Sequence, residues 1–437
     1  MGTGQNLYLK AKKLIPGGTQ LLSKRPEMHL PEYWPSYYSR VSGVEVWDLD
    51  NNHYIDMGFC AIGACVLGMA DKDVDAAVHT AIDSGIASTL NCPEEVELAE
   101  VLCELHPWAS MARFARCGGE AMTVAVRIVR ASTGRDKIAF CGYHGWHDWY
   151  LSANLSSDTS LDGHLLPGLN PQGVPRGLQG TMLPFRYNNI EELEKIVEQH
   201  GSELAAIAME PIRDCDPQDN FLQRVREIAT KIGAVLVYDE VSSGFRIACG
   251  GAHLTLGVEP DIAVFAKSIG NGYPSAAIIG RDTIMQSAQE TFISSTSWSE
   301  RIGSVAALAT IRKFRECNVH EHLVRIATMV QDGWRSAADA SGLSIEISAG
   351  LVPLSHFHFE SEFGEAPRTL FTQLMLEKGF LAITKFYAMY AHTDEHVEQY
   401  LAAVHEIFPI IAKAIEEGNV ESMLNGPVAH AGFHRLT

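Results

Sequence analysis

The sequence predicts an α/β protein with a mostly parallel mixed sheet, together with a smaller α+β domain formed by the N- and C-terminal segments. Short, uninterrupted apolar runs between residues 93 and 313 are typical of strands buried on both faces of a parallel sheet. Amphipathic helical patterns separate these runs, as they do in successive βα units. After residue 313, long amphipathic segments dominate. The change of pattern indicates a second domain.

Four apolar runs are the clearest strand candidates: KIAF (137–140), LAAIAM (204–209), AVLVYD (234–239) and DIAVFA (261–266). Between them, residues 120–133 and 220–233 carry apolar side chains on one helical face, and Gly233 is a typical helix C-cap. Near the N-terminus, residues 44–57 alternate apolar and polar side chains around a turn, which predicts a hairpin. Residues 395–418 predict a long helix.

These patterns divide the chain into three segments. We expect residues 1–60 to form the N-terminal part of the small domain, residues 61–313 the large domain, and residues 314–437 the C-terminal part of the small domain. Residues 155–181 have no regular pattern and are expected to form a long loop.

Composition restricts the possible partners. With 34 Lys and Arg against 53 Asp and Glu, the formal charge of −19 opposes binding to nucleic acid or to an anionic membrane. No apolar run approaches the roughly 18 residues of a spanning helix, and the N-terminus does not resemble a signal peptide. The nine cysteines include no C-x-x-C pair, so neither disulfides nor a zinc ribbon is indicated. We expect a cytoplasmic protein that binds small molecules.

Two charged residues follow predicted strands at the edge where parallel sheets bind ligands. Asp239 ends one apolar run and Lys267 follows another. Taken singly, Asp239 could cap a helix or form a salt bridge, and Lys267 could extend to the surface. Together they are the pair that pyridoxal 5′-phosphate (PLP) needs: a lysine for a Schiff base, and an acid that keeps the pyridine nitrogen protonated.

Other strand ends could complete such a site. Gly118 and Gly119 stand between a predicted strand and a helix, where backbone N–H groups can approach a phosphate, although a Gly-Gly turn alone is weak evidence. Tyr143 could stack on a flat ring or be an ordinary aromatic at a sheet edge. His144, His147 and Asp148 could suggest a metal site, but no third ligand at suitable spacing supports it, and we expect no metal.

The order of motifs resembles the class III (ω-type) PLP-dependent aminotransferases of fold type I, and most closely the proteins related to glutamate-1-semialdehyde aminomutase. The matching segments run nearly end to end: PGG (16–18), VEVWDLDNNHYIDM (44–57), GGEAMTVAVRIVRASTGRDKI (118–138), GYHGWHDW (142–149), MEPI (209–212), DEVSSGFR (239–246), AKSIGNGYP (266–274) and AHTDEHVE (391–398).

The resemblance implies a role for individual residues. Lys267 matches the Schiff-base lysine and Asp239 the partner of the pyridinium nitrogen. The remaining cofactor positions are Gly118 and Gly119 at the phosphate, Tyr143 and Val241 on the two ring faces, Glu210 near the cofactor's hydroxyl, and Thr296 on the phosphate of the neighbouring subunit's cofactor. A homodimer with shared active sites follows from the last match.

The departures from the family concern mainly the substrate. The family usually has Ser or Thr at the position of Gly119, and its G-N-P after Thr296 is replaced here by Ser299-Glu300-Arg301. The candidate substrate residues are Lys24, Arg25, Trp146, His147 and Trp298. An acidic residue of the aminomutase is missing near Thr384, which speaks against glutamate 1-semialdehyde as the substrate.

We therefore predict a PLP-dependent aminotransferase that moves an amino group from an amino-acid donor to an aldehyde or ketone. The aromatic candidates favour a small polar, sugar-like acceptor, although they could equally pack an interface. Two alternatives stay open: an intramolecular aminomutase of the glutamate-1-semialdehyde type, and an ω-amino acid transaminase.

Overall fold

The computed structural model describes residues 2–164, 167–433 and 436. Its strands, in chain order, are β1 (Tyr38–Ser42), β2 (Glu45–Asp48), β3 (His53–Asp56), β4 (Met111–Ala115), β5 (Lys137–Cys141), β6 (Met182–Pro184), β7 (Leu204–Met209), β8 (Val235–Asp239), β9 (Ile262–Phe265), β10 (Ala276–Gly280), β11 (Ile345–Ile347), β12 (Leu354–Phe359), β13 (Phe380–Leu381) and β14 (Lys385–Tyr387).

The α-helices are α1 (Thr3–Leu14), α2 (Lys72–Ser84), α3 (Glu94–Leu105), α4 (Gly118–Thr133), α5 (Asp148–Leu151), α6 (Ile190–His200), α7 (Phe221–Ile232), α8 (His253–Leu256), α9 (Asp282–Met285), α10 (Arg301–Glu316), α11 (Val319–Ser341), α12 (Ala366–Glu377) and α13 (Asp394–Glu416). Short 3₁₀ helices include Leu22–Lys24, Lys267–Gly270 and Thr296–Ser299. No helix in the described part of the chain is long and apolar enough to cross a membrane.

The unit Lys72–His320 is built on one sheet with the strand order β4-β10-β9-β8-β7-β5-β6. Neighbours from β6 to β9 pair in parallel, and β10 is antiparallel to both β9 and β4. The mostly parallel mixed sheet is therefore confirmed. Strands β7, β8 and β9 are buried throughout, which explains their uninterrupted apolar sequences.

The carboxyl ends of β4, β5, β7, β8 and β9 meet at one edge of this sheet, because antiparallel β10 separates β4 and β9 and leaves them running in the same direction. Apolar clusters cover both sheet faces, one involving α4 and the other α7. Helix α7 ends at Gly233, whose φ of 66° is left-handed, as the sequence predicts for a C-cap.

The second unit combines the chain up to Asp71 with the chain from Glu321 onward. It contains the sheet β1-β2-β3-β13 and the sheet β11-β12-β14. The predicted hairpin is the antiparallel pair β2 and β3, and the predicted C-terminal helix is α13. This unit is the α+β part of the fold.

The unit boundaries differ from the predicted positions at 60/61 and 313/314. Residues beyond 60 stay with the terminal unit, because Gly43 and Met69 form an isolated antiparallel bridge and Cys65 and Met69 pack in its apolar cluster. At the other boundary, position 313/314 lies inside α10, and the whole of this helix belongs to the unit Lys72–His320. Neither the packing of residues 61–71 on the terminal unit nor the extent of α10 is visible as a change in the sequence pattern.

Candidate active site

Asp239 ends β8 with a side chain that is almost completely buried. Its Oδ1 accepts a hydrogen bond from the backbone N–H of Val241 at 3.0 Å, and its Oδ2 lies 2.8 Å from Nδ1 of His144. The other ring nitrogen of His144, Nε2, lies 3.1 Å from the carbonyl oxygen of Cys141. Both ring nitrogens of His144 thus face oxygen atoms, which fixes the orientation of the ring. The contact with Nδ1 of His144, together with the bond from Val241, fixes the direction of the Asp239 carboxylate.

Lys267 begins the 3₁₀ helix that follows β9 and has a φ of 50°, a left-handed conformation that is strained for a long side chain. Its Nζ lies 2.7 Å from Oγ of Ser242, which belongs to the segment after β8. Burial lowers the pKa of the Lys267 amine to about 8, and the positive charges of Arg213 and Arg246 add to this effect. A larger fraction of the amine is therefore the uncharged nucleophile than in an exposed lysine.

Glu210, which follows β7, lies beside the same amine and raises the pKa of Lys267 in opposition to burial. Its Oε2 accepts a hydrogen bond from the backbone N–H of Tyr143 at 3.2 Å and lies 3.2 Å from Nη1 of Arg213. Burial, followed by the charge of Asp239, raises the pKa of the Tyr143 phenol. The ends of β5, β7, β8 and β9 thus bring Tyr143, Glu210, Asp239 and Lys267 into one cluster.

Gly118 and Gly119 form the first turn of α4, which follows β4. A Cβ atom on Gly118 would lie 2.8 Å from Cγ1 of Val241, so only glycine allows this close approach. Glu120 closes the turn by accepting hydrogen bonds from the backbone N–H groups of Arg116 and Cys117. The turn therefore presents backbone N–H groups at a helix N-terminus directly beside the cluster, an arrangement suited to a phosphate.

Thr296 is predicted to contact the phosphate of the neighbouring subunit's cofactor, and the segment that follows it has a structural role that the sequence did not show. Arg116 donates to the backbone carbonyls of Ser297, Trp298 and Glu300 and also pairs with the Glu300 carboxylate at 3.0 Å. Glu300 caps α10 by accepting from the backbone N–H groups of residues 302 and 303, and Arg301 pairs with Glu94. The Ser299-Glu300-Arg301 departure is thus a helix cap, and Thr296 itself is exposed.

The candidate substrate residues lie in different places. Trp146 is 69% exposed, and its ring stacks on His147, which packs against Gly119. Trp298 packs at the edge of the cluster that includes α4. Lys24 and Arg25 belong to the terminal unit, where the Arg25 guanidinium packs against Gly17. Their role in substrate binding stays a prediction.

The sequence analysis did not identify Ser242 and Arg213 as members of this cluster. It named His144, but not its contact with Asp239. Arg213 follows the MEPI motif directly, and a cation three residues after Glu210 at a strand end was a usable signal. Ser242 and His144 become recognisable only through contacts between neighbouring strands. His144 and His147 point to different partners, and no cluster suited to a metal ion is found among the described residues.

These residues fit PLP. Lys267 would bind it covalently, Asp239 would face its ring nitrogen, Tyr143 and Val241 would flank the ring, and the turn at Gly118 would receive the phosphate. Three observations support this fit. The pKa of the Lys267 amine is lowered, and Asp239 is held in direction by His144. The turn at Gly118 has room that a single Cβ atom would fill.

Comparisons with known proteins agree with this chemistry. Residues 30–408 match the family Aminotransferase class-III. The chain is 30% identical to the 3-aminobutyryl-CoA aminotransferase of Cloacimonas acidaminovorans, covering 95% of this chain and 99% of that protein. It is 32% identical to the glutamate-1-semialdehyde 2,1-aminomutase of Desulforamulus reducens, over 94% of this chain and 98% of that protein.

Among solved structures, the FumI protein of Sphingopyxis sp. MTA144, described in its PLP internal aldimine form, superimposes with a TM-score of 0.85 at 25% identity, covering 95% of this chain and 98% of that one. The match extends over both units of the fold and confirms PLP fold type I. The chain belongs to the class-III aminotransferase family and is a PLP-dependent transaminase.

Proposed function

We propose that Lys267 attaches PLP and that the enzyme moves an amino group from an amino-acid donor to the aldehyde or ketone group of a small polar, sugar-like metabolite. The observation that carries the proposal is the Lys267 amine, held 2.7 Å from Ser242 Oγ and lowered in pKa amid the charges of Arg213, Glu210 and Asp239. An amine in this environment is equipped for covalent and proton-transfer chemistry.

PLP, when bound, supplies an electron sink for the charge that develops on the substrate carbon. Asp239 would hold the ring nitrogen protonated, and the contact with Nδ1 of His144 would keep the Asp239 carboxylate in place. The Lys267 amine, when free, would act as the base that takes the proton from the substrate carbon and as the acid that returns it. Returning along the same steps with a carbonyl acceptor would complete the transfer.

Arg213 supports an amino acid as the donor. It is about one quarter exposed, whereas Arg246, the other cation that acts on Lys267, is fully buried. Its contact with Glu210, at 3.2 to 3.3 Å, is long for a charge-assisted bond. A donor carboxylate would find in Arg213 a planar guanidinium that can bind it through two hydrogen bonds.

Two further candidates follow from the relatives. The aminomutase is the natural alternative, because a relative of that name matches almost the whole chain. An ω-amino or β-amino acid donor is the other, since another relative is named for the transfer of an amino group from 3-aminobutyryl-CoA. A ¹⁵N-labelled donor distinguishes the aminomutase from an aminotransferase: an aminotransferase converts the donor to an oxo product and places the label on the carbon skeleton of a separate acceptor, whereas an aminomutase forms only an isomer of its own substrate.

A spectroscopic half-reaction tests the proposed function. Purified enzyme saturated with PLP is mixed with single amines, including glutamate, alanine, a β-amino acid and isopropylamine, and conversion to pyridoxamine phosphate is followed by absorbance. We expect alanine to react and isopropylamine, which carries a methyl group in place of the carboxylate, to react far more slowly. If no amino acid converts the cofactor, the aminotransferase proposal fails. Amino-sugar products from candidate acceptors then test the acceptor class.

The lowered pKa of Lys267 predicts the pH dependence of cofactor attachment. Because only the uncharged amine attacks the aldehyde, the rate constant for attachment to PLP-free enzyme should rise with pH and level off above about pH 8. Nα-acetyl-lysine, whose amine has a pKa of about 10.4, should continue to accelerate towards pH 10. Stopped-flow absorbance measures both. An enzyme profile that parallels the free lysine derivative would show that burial does not lower the pKa.

We also propose a homodimer with shared active sites, in which Thr296 would contact the cofactor phosphate of the neighbouring subunit. Two observations support it: Thr296 is exposed, and Arg116, next to the phosphate turn, holds the following residue by a hydrogen bond to the carbonyl of Ser297. Sedimentation equilibrium tests it, and a mass of one chain would exclude it.

A further inference from the structure

The turn at Gly118 and Gly119 has no side chain at position 119, and the imidazole of His147 lies where such a side chain would begin. At position 119, where the family that the sequence resembles usually carries Ser or Thr, a Cβ atom would lie only 3.0 Å from both Nδ1 and Cε1 of His147. A serine there would press on the ring, and His147 would have to shift by a few tenths of an ångström to admit it. The polar edge of the ring therefore occupies the region from which a hydroxyl at position 119 would act.

The surrounding chain holds this ring in position. Trp146 stacks on His147 with ring centroids 4.3 Å apart and an angle of 19° between the planes. Gly145 has a φ of 106°, and a Cβ atom there would lie 3.1 Å from Cα of Gly119. Glycine is thus needed on both sides of the contact for segment 145–147 to approach the turn.

Nδ1 of His147 is buried and forms no hydrogen bond to any described residue. A buried ring nitrogen without a partner costs free energy and calls for a ligand or water that satisfies it. Burial also lowers the pKa of His147, which favours a neutral ring, and such a ring can place its one proton on Nδ1. The nitrogen lies beside the turn that would receive the cofactor phosphate.

We propose that His147 is a cofactor-binding residue whose Nδ1–H donates to the PLP phosphate in place of the hydroxyl missing at Gly119. The proposal requires the ring to turn against Trp146 when the cofactor binds, so that the buried nitrogen reaches a phosphate oxygen. The assignment rests on the proposed function only in placing the phosphate at Gly118 and Gly119. It replaces the sequence-based interpretation of His147 as a substrate residue.

The dissociation constant of PLP tests the proposal, measured by titrating cofactor-free enzyme and following absorbance. His147→Phe keeps a ring that can stack on Trp146 but removes both nitrogens, and it should weaken PLP binding about tenfold or more, since a hydrogen bond to a charged group is lost. His147→Asn, whose amide nitrogen falls near the position of Nδ1, should bind PLP much as the wild type does. Pyridoxal, which lacks the phosphate, should bind equally to all three proteins.

Exchanging the two groups gives a second, independent test. Gly119→Ser alone should weaken PLP binding, because its Cβ atom would press against His147. His147→Ala alone should also weaken it. The double variant, Gly119→Ser with His147→Ala, has room for the serine hydroxyl and should bind PLP more tightly than either single variant.

Two results would overturn the assignment: unchanged PLP affinity in His147→Phe, or an equal loss of affinity for PLP and pyridoxal, which would indicate a general packing defect. Circular dichroism on each variant checks that the fold is kept. These outcomes differ from failure of the proposed function, in which the wild-type enzyme itself would not attach PLP at Lys267.

Discussion

Replacing Lys267 by alanine is expected to abolish covalent attachment of PLP and to lower the rate of amino transfer by about a thousandfold or more. The variant loses the covalent anchor and the base that moves the proton, and a positioned base alone contributes roughly a hundredfold to ten-thousandfold. Borohydride reduction followed by peptide mass spectrometry should place PLP on Lys267 in the wild type and leave the corresponding peptide of the variant unlabelled.

The control is Lys231→Ala, which removes an exposed amine near the end of α7 in the same unit. It should keep both the attached cofactor and the activity. A structural role for Lys267 is separated from a chemical one by adding a small primary amine, which should restore part of the proton transfer in Lys267→Ala but could not repair a misfolded site. PLP found on another lysine of the wild type would refute the assignment.

The sheet of the large unit was predictable because a strand that is buried on both faces has an uninterrupted apolar sequence, which can be recognised locally. Every residue of β7 is buried, and its six-residue apolar run gives the observed bounds Leu204–Met209 without adjustment. Lys267 and Asp239 were recognisable for the same reason, since a charge that follows such a run stands out. The sequence alone therefore located individual strands and the charged residues at their carboxyl ends.

Contacts between strands were not predictable. His144 appeared as a possible metal ligand because its neighbours in sequence are histidine and aspartate, yet its partner is Asp239, 95 residues away. Ser299-Glu300-Arg301 appeared to be a change at the substrate, but Glu300 caps the following helix. In both cases the local sequence identified an unusual residue, and only the fold determines what that residue contacts.

Replacing Asp239 by asparagine should leave PLP attached to Lys267 but lower the rate of the half-reaction by roughly a hundredfold to a thousandfold, the usual cost of removing one fixed electrostatic group from an active site. Asparagine has almost the same shape and can still accept from Val241. It cannot keep a pyridine nitrogen protonated, so the electron sink weakens while binding persists. The expected pattern is a fall in the maximum half-reaction rate with little change in amine affinity.

The control, Asp261→Asn, removes a carboxylate from the start of the neighbouring strand, where Asp261 pairs with Arg226 and Arg281. It should lower the melting temperature and leave the half-reaction rate unchanged, which separates lost stability from lost chemistry.

A PLP analogue methylated on the ring nitrogen carries the positive charge permanently and therefore does not need the acid. We expect it to restore part of the rate in Asp239→Asn and none in Lys267→Ala. If the analogue leaves Asp239→Asn as slow as PLP does, the acid would be orienting the cofactor ring rather than protonating it, and the contacts of His144 with Asp239 and with the Cys141 carbonyl would serve to fix that orientation.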